Sequence, residues 1–231
     1  LVCALAAQAL GPQNVLAVIM PYRASSPASE ADARAVAAHL GVPVRKVEIS
    51  AMVEPYLQAN LNLSSVRRGN VMARTRMIVL YDLSEEFKGL VMGTSNKTEL
   101  LLGYGTLFGD MASALNPVGD LYKTQLRQLA RALQVPLAVI EKPPTADLWA
   151  GQTDEAELGV TYELADQILY LLVDERCTEA EVIAEGFDAA VVRGLNLRVR
   201  NNHFKRVPPL IAKITSRTIG TDFLYLRDWG R

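Results

Sequence analysis

Short apolar runs closed by turn residues alternate along the first half of this chain with segments of helical character, and that alternation leaves few folds open. The run NVLAVIMP (14–21) lies between Gly11-Pro12 and Pro21, the setting of a buried parallel strand. A helix follows, with Ser26 as its N-cap, Pro27 in its first turn and Gly41 just past its end. The second strand is VPVRKVEIS (42–50), and a helix over 69–87 leads to a third strand, GLVMGT (89–94). Strand–helix–strand alternation at this spacing argues for an α/β fold: a parallel sheet covered by helices.

Beyond Asp110 the strand signals fade. DLYKTQLRQLARAL (120–133) is amphipathic, with Leu121, Leu126, Leu129 and Leu133 along one stripe. EKPPTADLWAGQTDE (141–155) reads as an ordered loop or lid, and the stretches 161–175 and 178–202 read as helices. The opening LVCALAAQAL reads as the middle of a helix; it has no basic start and carries Gln8, unlike a signal peptide.

Bulk properties narrow the function. The 231 residues, half of them hydrophobic and 21% charged, suit one large domain over 1–231. A net charge of −1 gives no electrostatic footprint for nucleic acid or a membrane surface. Cys3 and Cys177 are too far apart for metal spacing or a disulfide framework, so a reducing, cytoplasmic setting is expected. No apolar run approaches the roughly 18 residues that a membrane span needs.

In open parallel sheets ligands bind beyond the carboxyl ends of strands, where Met20-Pro21 and Gly93-Thr94 lie here. RRGNVMARTRMIVLYDLS (67–84) holds Arg67, Arg68, Arg74 and Arg76 beside Met72, Met77, Leu80 and Tyr81. Such arginines are either a solvated face or a pair, Arg67 and Arg74, addressing phosphate or carboxylate together. Gly69-Asn70 at the presumed helix start would add free N–H groups for an anion.

GTSNKTELLLGY (93–104) delivers the Thr94 hydroxyl, the Asn96 amide and the Glu99 carboxylate to one strand end. Glu99 is either a Mg²⁺ ligand or an acidic residue that complements a helix N-terminus. Lys123 could neutralise a polyphosphate or be solvated. Two prolines stiffen a loop presenting Thr145 and Asp147. Lys205 and Arg206, before Pro208-Pro209, either bind a ligand or cap helix carbonyls, and His203 reads as structural.

Taken in order, GNVMARTRMIVLYDLS, GTSNKTELLLGY, FGD, NPVGDLYKTQLRQLAR, KPPTADLWAGQTDEAELGVTY and FKRVPP resemble the NAD synthetase family, which amidates deamido-NAD. The motifs run from Met20 to Lys205, and KPPTADLWAGQTDE with GTSNKTELLLGY is a highly specific combination. The resemblance implies a doubly wound adenine-nucleotide α-hydrolase-like fold with a helical C-terminal part, and a homodimer. It implies a ligase of NAD biosynthesis that uses ATP and Mg²⁺, with ammonia as nitrogen donor, free or supplied by a glutaminase. ATP contacts are implied at Met20, Thr94, Lys123 and Thr145. Deamido-NAD contacts are implied at Asn70, Arg74, Glu99 and Lys205, with Glu99 also matching a Mg²⁺ position. No residue is implied as a covalent catalyst; positioning and electrostatics carry the reaction.

Two departures accompany the resemblance. The family's Ser-Gly-Gly-x-Asp-Ser pyrophosphate loop and the strand before it are not in this sequence and are expected upstream of Leu1. Leu107 and Ala114 stand where the enteric ammonia-dependent branch has Lys and Asp, which leans toward another branch, such as one fed by glutamine. Other ATP-pyrophosphatase amidotransferases and a non-catalytic nucleotide-binding module are the alternatives. The apolar residues Met72, Met77, Leu80 and Tyr81 are expected to contribute a dimer contact.

Overall fold

Strand β1 (Ala17–Ile19) pairs in parallel with β2 (Val44–Lys46), Ala17 standing opposite Val44 and Ile19 opposite Lys46. Helix α1 (Val2–Leu10) precedes them and α2 (Pro27–Leu40) crosses over between them. The sequence punctuation works as expected here: Pro27 sits in the first turn, and Gly41 takes the left-handed conformation (φ 68°) that ends α2. Ser26 holds the N-cap position, but its side chain makes no cap. This computed structural model describes residues 1–145, 147–148 and 151–223. Ala146, Trp149 and Ala150 of the expected lid lie outside the described residues.

The expected third strand shrinks to a single parallel bridge, Met92 to Leu115. Glycines flank it, and a Cβ on Gly93 would lie 2.6 Å from Ser113 Oγ. Backbone closeness, not strand length, sets this contact: Gly93 N–H reaches Leu115 O at 2.7 Å. Thr94 follows this bridge by two residues.

Helix α3 (Ser50–Ala59) is not evident from the sequence, because Pro55 interrupts a short pattern; Val53 and Leu57, four apart, are its buried face. Helix α4 (Ser65–Phe87) starts four residues before the expected Gly69, with Ser64 Oγ accepting from Arg67 N–H. Helical pairing has already begun by Arg68, whose N–H bonds to Ser64 O, so Gly69 and Asn70 offer no free amides to an anion. That part of the sequence reading is corrected.

Tyr22, Ile49, Val53, Leu57, Met72, Val79 and Leu83 form one core between the strands, α3 and α4. Met72 is therefore interior and leaves the expected docking face, while Ile78 and Tyr81 remain exposed. A second core joins α5 (Lys97–Leu102) with the C-terminal helices through Leu102, Tyr122, Ile168, Leu169, Val182 and Val192. Helices α6 (Lys123–Ala132) and α7 (Leu137–Ile140) pack with α1 in a third cluster around Ala4, Ala130 and Val135, and Leu158 of α8 (Asp154–Leu158) packs on the second core.

The second core is closed by α9 (Tyr162–Leu169), α10 (Glu179–Ala184) and α11 (Ala189–Asn201). The stretch 178–202 thus breaks into two helices instead of one. Gly186 has φ 101°, which a helix cannot hold, and Asp188 restarts the chain by accepting from the N–H groups of Ala190 and Val191. Loss of that cap in Asp188→Ala is expected to lower stability by about 1 kcal/mol, read as a fall in thermal midpoint with activity at room temperature retained. Among the described residues no helix is long and apolar enough to cross a membrane.

Candidate functional site

The site is built on the first turn of α5. Asn96, 1% exposed, accepts the Glu99 N–H on Oδ1 (3.0 Å), and Glu99 Oε2 accepts the Asn96 N–H in return (3.1 Å). This reciprocal cap holds the Glu99 side chain in one place. Its other oxygen, Oε1, meets Lys123 Nζ at 2.9 Å. The helix-start reading of Glu99 is therefore realised, and the same side chain puts a carboxylate oxygen, paired with Lys123, on a cleft.

That cleft has a volume of about 300 Å³ and is lined by Thr94, Ser95, Glu99, Lys123, Pro144 and Thr145, with Tyr104, Asp110 and Asp154. Thr94, Glu99, Lys123 and Thr145, separated widely in sequence, come together here. An apolar cavity of about 330 Å³ shares Lys123, Pro144 and Thr145 and is walled by Leu126, Val135, Val139 and Ile140. A polar end beside an apolar end suits a ligand with charged groups on a ring system. Lys123 Nζ also stands 5.0 Å from the Tyr162 ring centre, so the ammonium is held from two sides.

Asp154 and Tyr104 escape sequence reasoning. Asp154 looks like an ordinary acidic helix start, yet it is 5% exposed and accepts from the Tyr162 hydroxyl at 3.0 Å. The Tyr104 hydroxyl lies 3.0 Å from both Asp154 Oδ1 and Glu157 Oε2. Burial, and then the Asp154 charge, push both phenols far above their ordinary range, so they remain donors at neutral pH. The Tyr pair facing an Asp is a signal of spatial kind only, invisible in chain order.

Asn70, Arg74 and Lys205 form a separate group around the loop 103–110. Thr106 Oγ1 donates to Asn70 Oδ1 at 2.8 Å, Arg74 Nε donates to Leu107 O at 3.2 Å, and Lys205 Nζ donates to Gly103 O and Gly105 O at 2.7 and 2.9 Å. Arg206 and Arg198 donate to the carbonyls of Leu101 and Leu102 at the end of α5. The helix-capping reading of the basic HFKR segment is thus realised. Burial lowers the Lys205 ammonium below its usual value, and the Asp110 carboxylate opposes this. Asp110, on the cleft wall, is itself fixed by the Thr106 N–H at 2.8 Å, so this loop links the basic group to the cleft.

Arg67 does not join Arg74: it is exposed, while Arg74 is committed to the loop. Met20 also stands apart from the cleft lining. Its side chain packs on the first core and its carbonyl accepts from Arg76 Nε at 2.9 Å. Leu107 and Ala114, the departures noted in the sequence, contribute backbone groups: the Leu107 carbonyl takes Arg74 and the Ala114 N–H reaches Val91 O. The proline-rich loop is tied to α2 by Lys142–Asp32 (2.7 Å) and by Asp147, which accepts the Ser26 N–H at 3.1 Å.

A parallel α/β fold with a carboxylate, an ammonium and hydroxyls gathered on one cleft belongs to the class of α/β proteins that bind ligands in a crevice of the open fold. Comparison with known proteins narrows the class. The chain belongs to the NAD synthase family, whose pattern matches residues 1–209. It is 59% identical over all 231 residues to an NH(3)-dependent NAD(+) synthetase of Trichlorobacter lovleyi, covering 85% of that protein. An NH3-dependent NAD synthetase structure from Campylobacter jejuni matches with TM-score 0.76 and 34% identity, covering 92% of this chain and 83% of that one. An NMN synthetase structure from Francisella tularensis matches with TM-score 0.79 and 29% identity, covering 92% of this chain and 84% of that one. This chain is an enzyme of that family with its doubly wound α/β fold.

Proposed function

We propose that this chain makes NAD in the cytoplasm from deamido-NAD, ATP and free ammonia, releasing AMP and pyrophosphate. The observation that carries the reading is the convergence of Thr94, Glu99, Lys123 and Thr145 on one cleft. Relatives named for ammonia, at 50% identity and above, favour the free donor over glutamine despite Leu107 and Ala114.

A nicotinate carboxylate is a poor acyl donor. In the proposed first step its oxygen attacks the α-phosphorus of ATP, the bond from that phosphorus to the bridging oxygen breaks, and pyrophosphate leaves with the electron pair. Ammonia then attacks the acyl carbon, loses a proton, and AMP departs with the former carboxylate oxygen. Lys123 offsets charge on the phosphate oxygens, and the hydroxyls of Thr94 and Thr145 orient the nucleotide. Asn70, Arg74 and Lys205 hold the 103–110 loop against which deamido-NAD binds. Tyr104 and Tyr162 hold the Asp154 carboxylate in place on the cleft wall.

Mg²⁺ fits this site. It is commonly held by one or two carboxylates plus substrate phosphates, and Glu99 supplies a cleft-facing carboxylate with lone pairs to spare beyond its Asn96 and Lys123 partners. When bound, the ion would neutralise charge developing on the phosphates. Met20 is kept as an ATP contact through its place at the end of β1, outside the cleft lining.

Initial rates with deamido-NAD or nicotinate mononucleotide, each with ammonium or glutamine, test the reading. NAD formation from deamido-NAD with ammonium is expected to dominate; preference for the mononucleotide, the direction suggested by the NMN synthetase likeness, would overturn the substrate assignment. Lys205→Ala is expected to raise the KM for deamido-NAD about tenfold and leave that for ATP within about twofold, with Thr145→Ala doing the reverse. Weakening of the same substrate by both variants would contradict this division. The enzyme is proposed to be a homodimer that uses exposed Val66, Ile78 and Tyr81 of α4 in place of Met72. A monomer at micromolar concentration in sedimentation, with activity retained, would rule that out.

A further inference from the structure

Asp166 lies on α9, away from the cleft lining, yet its buried carboxylate joins the two helices that carry the cleft's ion pair. Oδ1 accepts the Thr98 hydroxyl at 2.5 Å, and Oδ2 accepts both the N–H and the hydroxyl of Thr124 at 2.8 Å. The Thr98 oxygen in turn accepts the Lys123 N–H at 3.0 Å. Thr98 is the chain neighbour of Glu99, and Thr124 is the chain neighbour of Lys123. The first turns of α5 and α6 are thus tied to one carboxylate that is 5% exposed.

We propose that Asp166 is a positioning residue that sets the register of α5 against α6 and so places Glu99 and Lys123 together. A carboxylate only accepts, which is why three donors can converge on it. Two of the amides that α6 leaves without intrahelical partners, those of Lys123 and Thr124, are satisfied by this network. Its negative charge also lies at the positive ends of two helix dipoles. The Glu99–Lys123 contact of 2.9 Å is consequently fixed from behind, by groups that never reach the ligand. This inference rests on the reading of the cleft as the ATP site, where small displacements cost rate.

Asp166→Asn preserves volume but turns one acceptor into a donor, which then faces either the Thr98 or the Thr124 donors. The test is a double-mutant cycle with Lys123→Ala. Asp166→Asn is expected to lower kcat/KM for ATP about tenfold in the wild-type background and by less than about twofold when Lys123 is already absent. Equal factors in both backgrounds, or unchanged activity, would overturn the proposal, since a merely structural role predicts additivity. Thr98→Val, which removes the hydroxyl linking Asp166 to the Lys123 amide, gives the same cycle should Asp166→Asn fail to fold. A crystal structure of the folded variant decides the geometry independently: Glu99 and Lys123 should separate beyond ion-pair distance, and an intact pair contradicts the inference. If the wild-type enzyme makes no NAD, the proposed function fails, while that structure still judges the positioning role.

Discussion

Glu99→Gln is expected to leave the helices in place and remove most of the turnover. The amide oxygen of Gln can still accept the Asn96 N–H, so the reciprocal cap at the start of α5 survives. The other arm becomes an NH₂ group pointed at the Lys123 ammonium, donor against donor, where 2.9 Å now separates opposite charges. The change also removes the charge that would draw a divalent cation. A loss of about a hundredfold in kcat, some 2.7 kcal/mol of barrier, is expected at saturating substrates with an unchanged circular-dichroism spectrum. Turnover within about twofold of wild type would reduce Glu99 to a helix cap.

Gly103→Ala is expected to be the most damaging small substitution for the fold. Gly103 ends α5 with φ 62°, and a Cβ there would lie 2.3 Å from the Cβ of Asn202. An L side chain in the left-handed region costs about 1 kcal/mol, and overpacking against a neighbour adds about 1–3 kcal/mol, for a total of about 2–4 kcal/mol. The effect reaches the site, because the Gly103 carbonyl takes Lys205 and the loop that follows carries Asp110 to the cleft wall. Denaturant unfolding measures it directly; a loss below about 0.5 kcal/mol would mean that α11 yields without cost.

Punctuation and apolar runs made the βαβ core legible: Pro27 and Gly41 bound α2, and the apolar runs at 14–21 and 42–50 contain β1 and β2. Local signals failed where local chemistry was ambiguous. Pro55 concealed α3, and Gly69 looked like a helix start although Ser64 already provides the cap. Met72 lies on the same apolar stripe as exposed neighbours, and only packing decides which of them face inward. Motif resemblance pointed to Thr94, Glu99, Lys123 and Thr145, which do share a cleft. It could not show that Asn70, Arg74 and Lys205 act on one loop through backbone carbonyls and a threonine, because carbonyl acceptors have no sequence signature. Asp154 and Asp166 were hidden for the same reason: their partners are distant in the chain, and an acid in a helix usually reads as a solvated charge.

In the proposed chemistry the cleft activates a carboxylate by joining it to AMP. Its most direct test is to label the nicotinate carboxylate of deamido-NAD with heavy oxygen and follow the label through one turnover. Transfer of one labelled oxygen into AMP, with pyrophosphate formed in equal amount to NAD, is the expected result. Label in inorganic phosphate, with ADP as the nucleotide product, would contradict it.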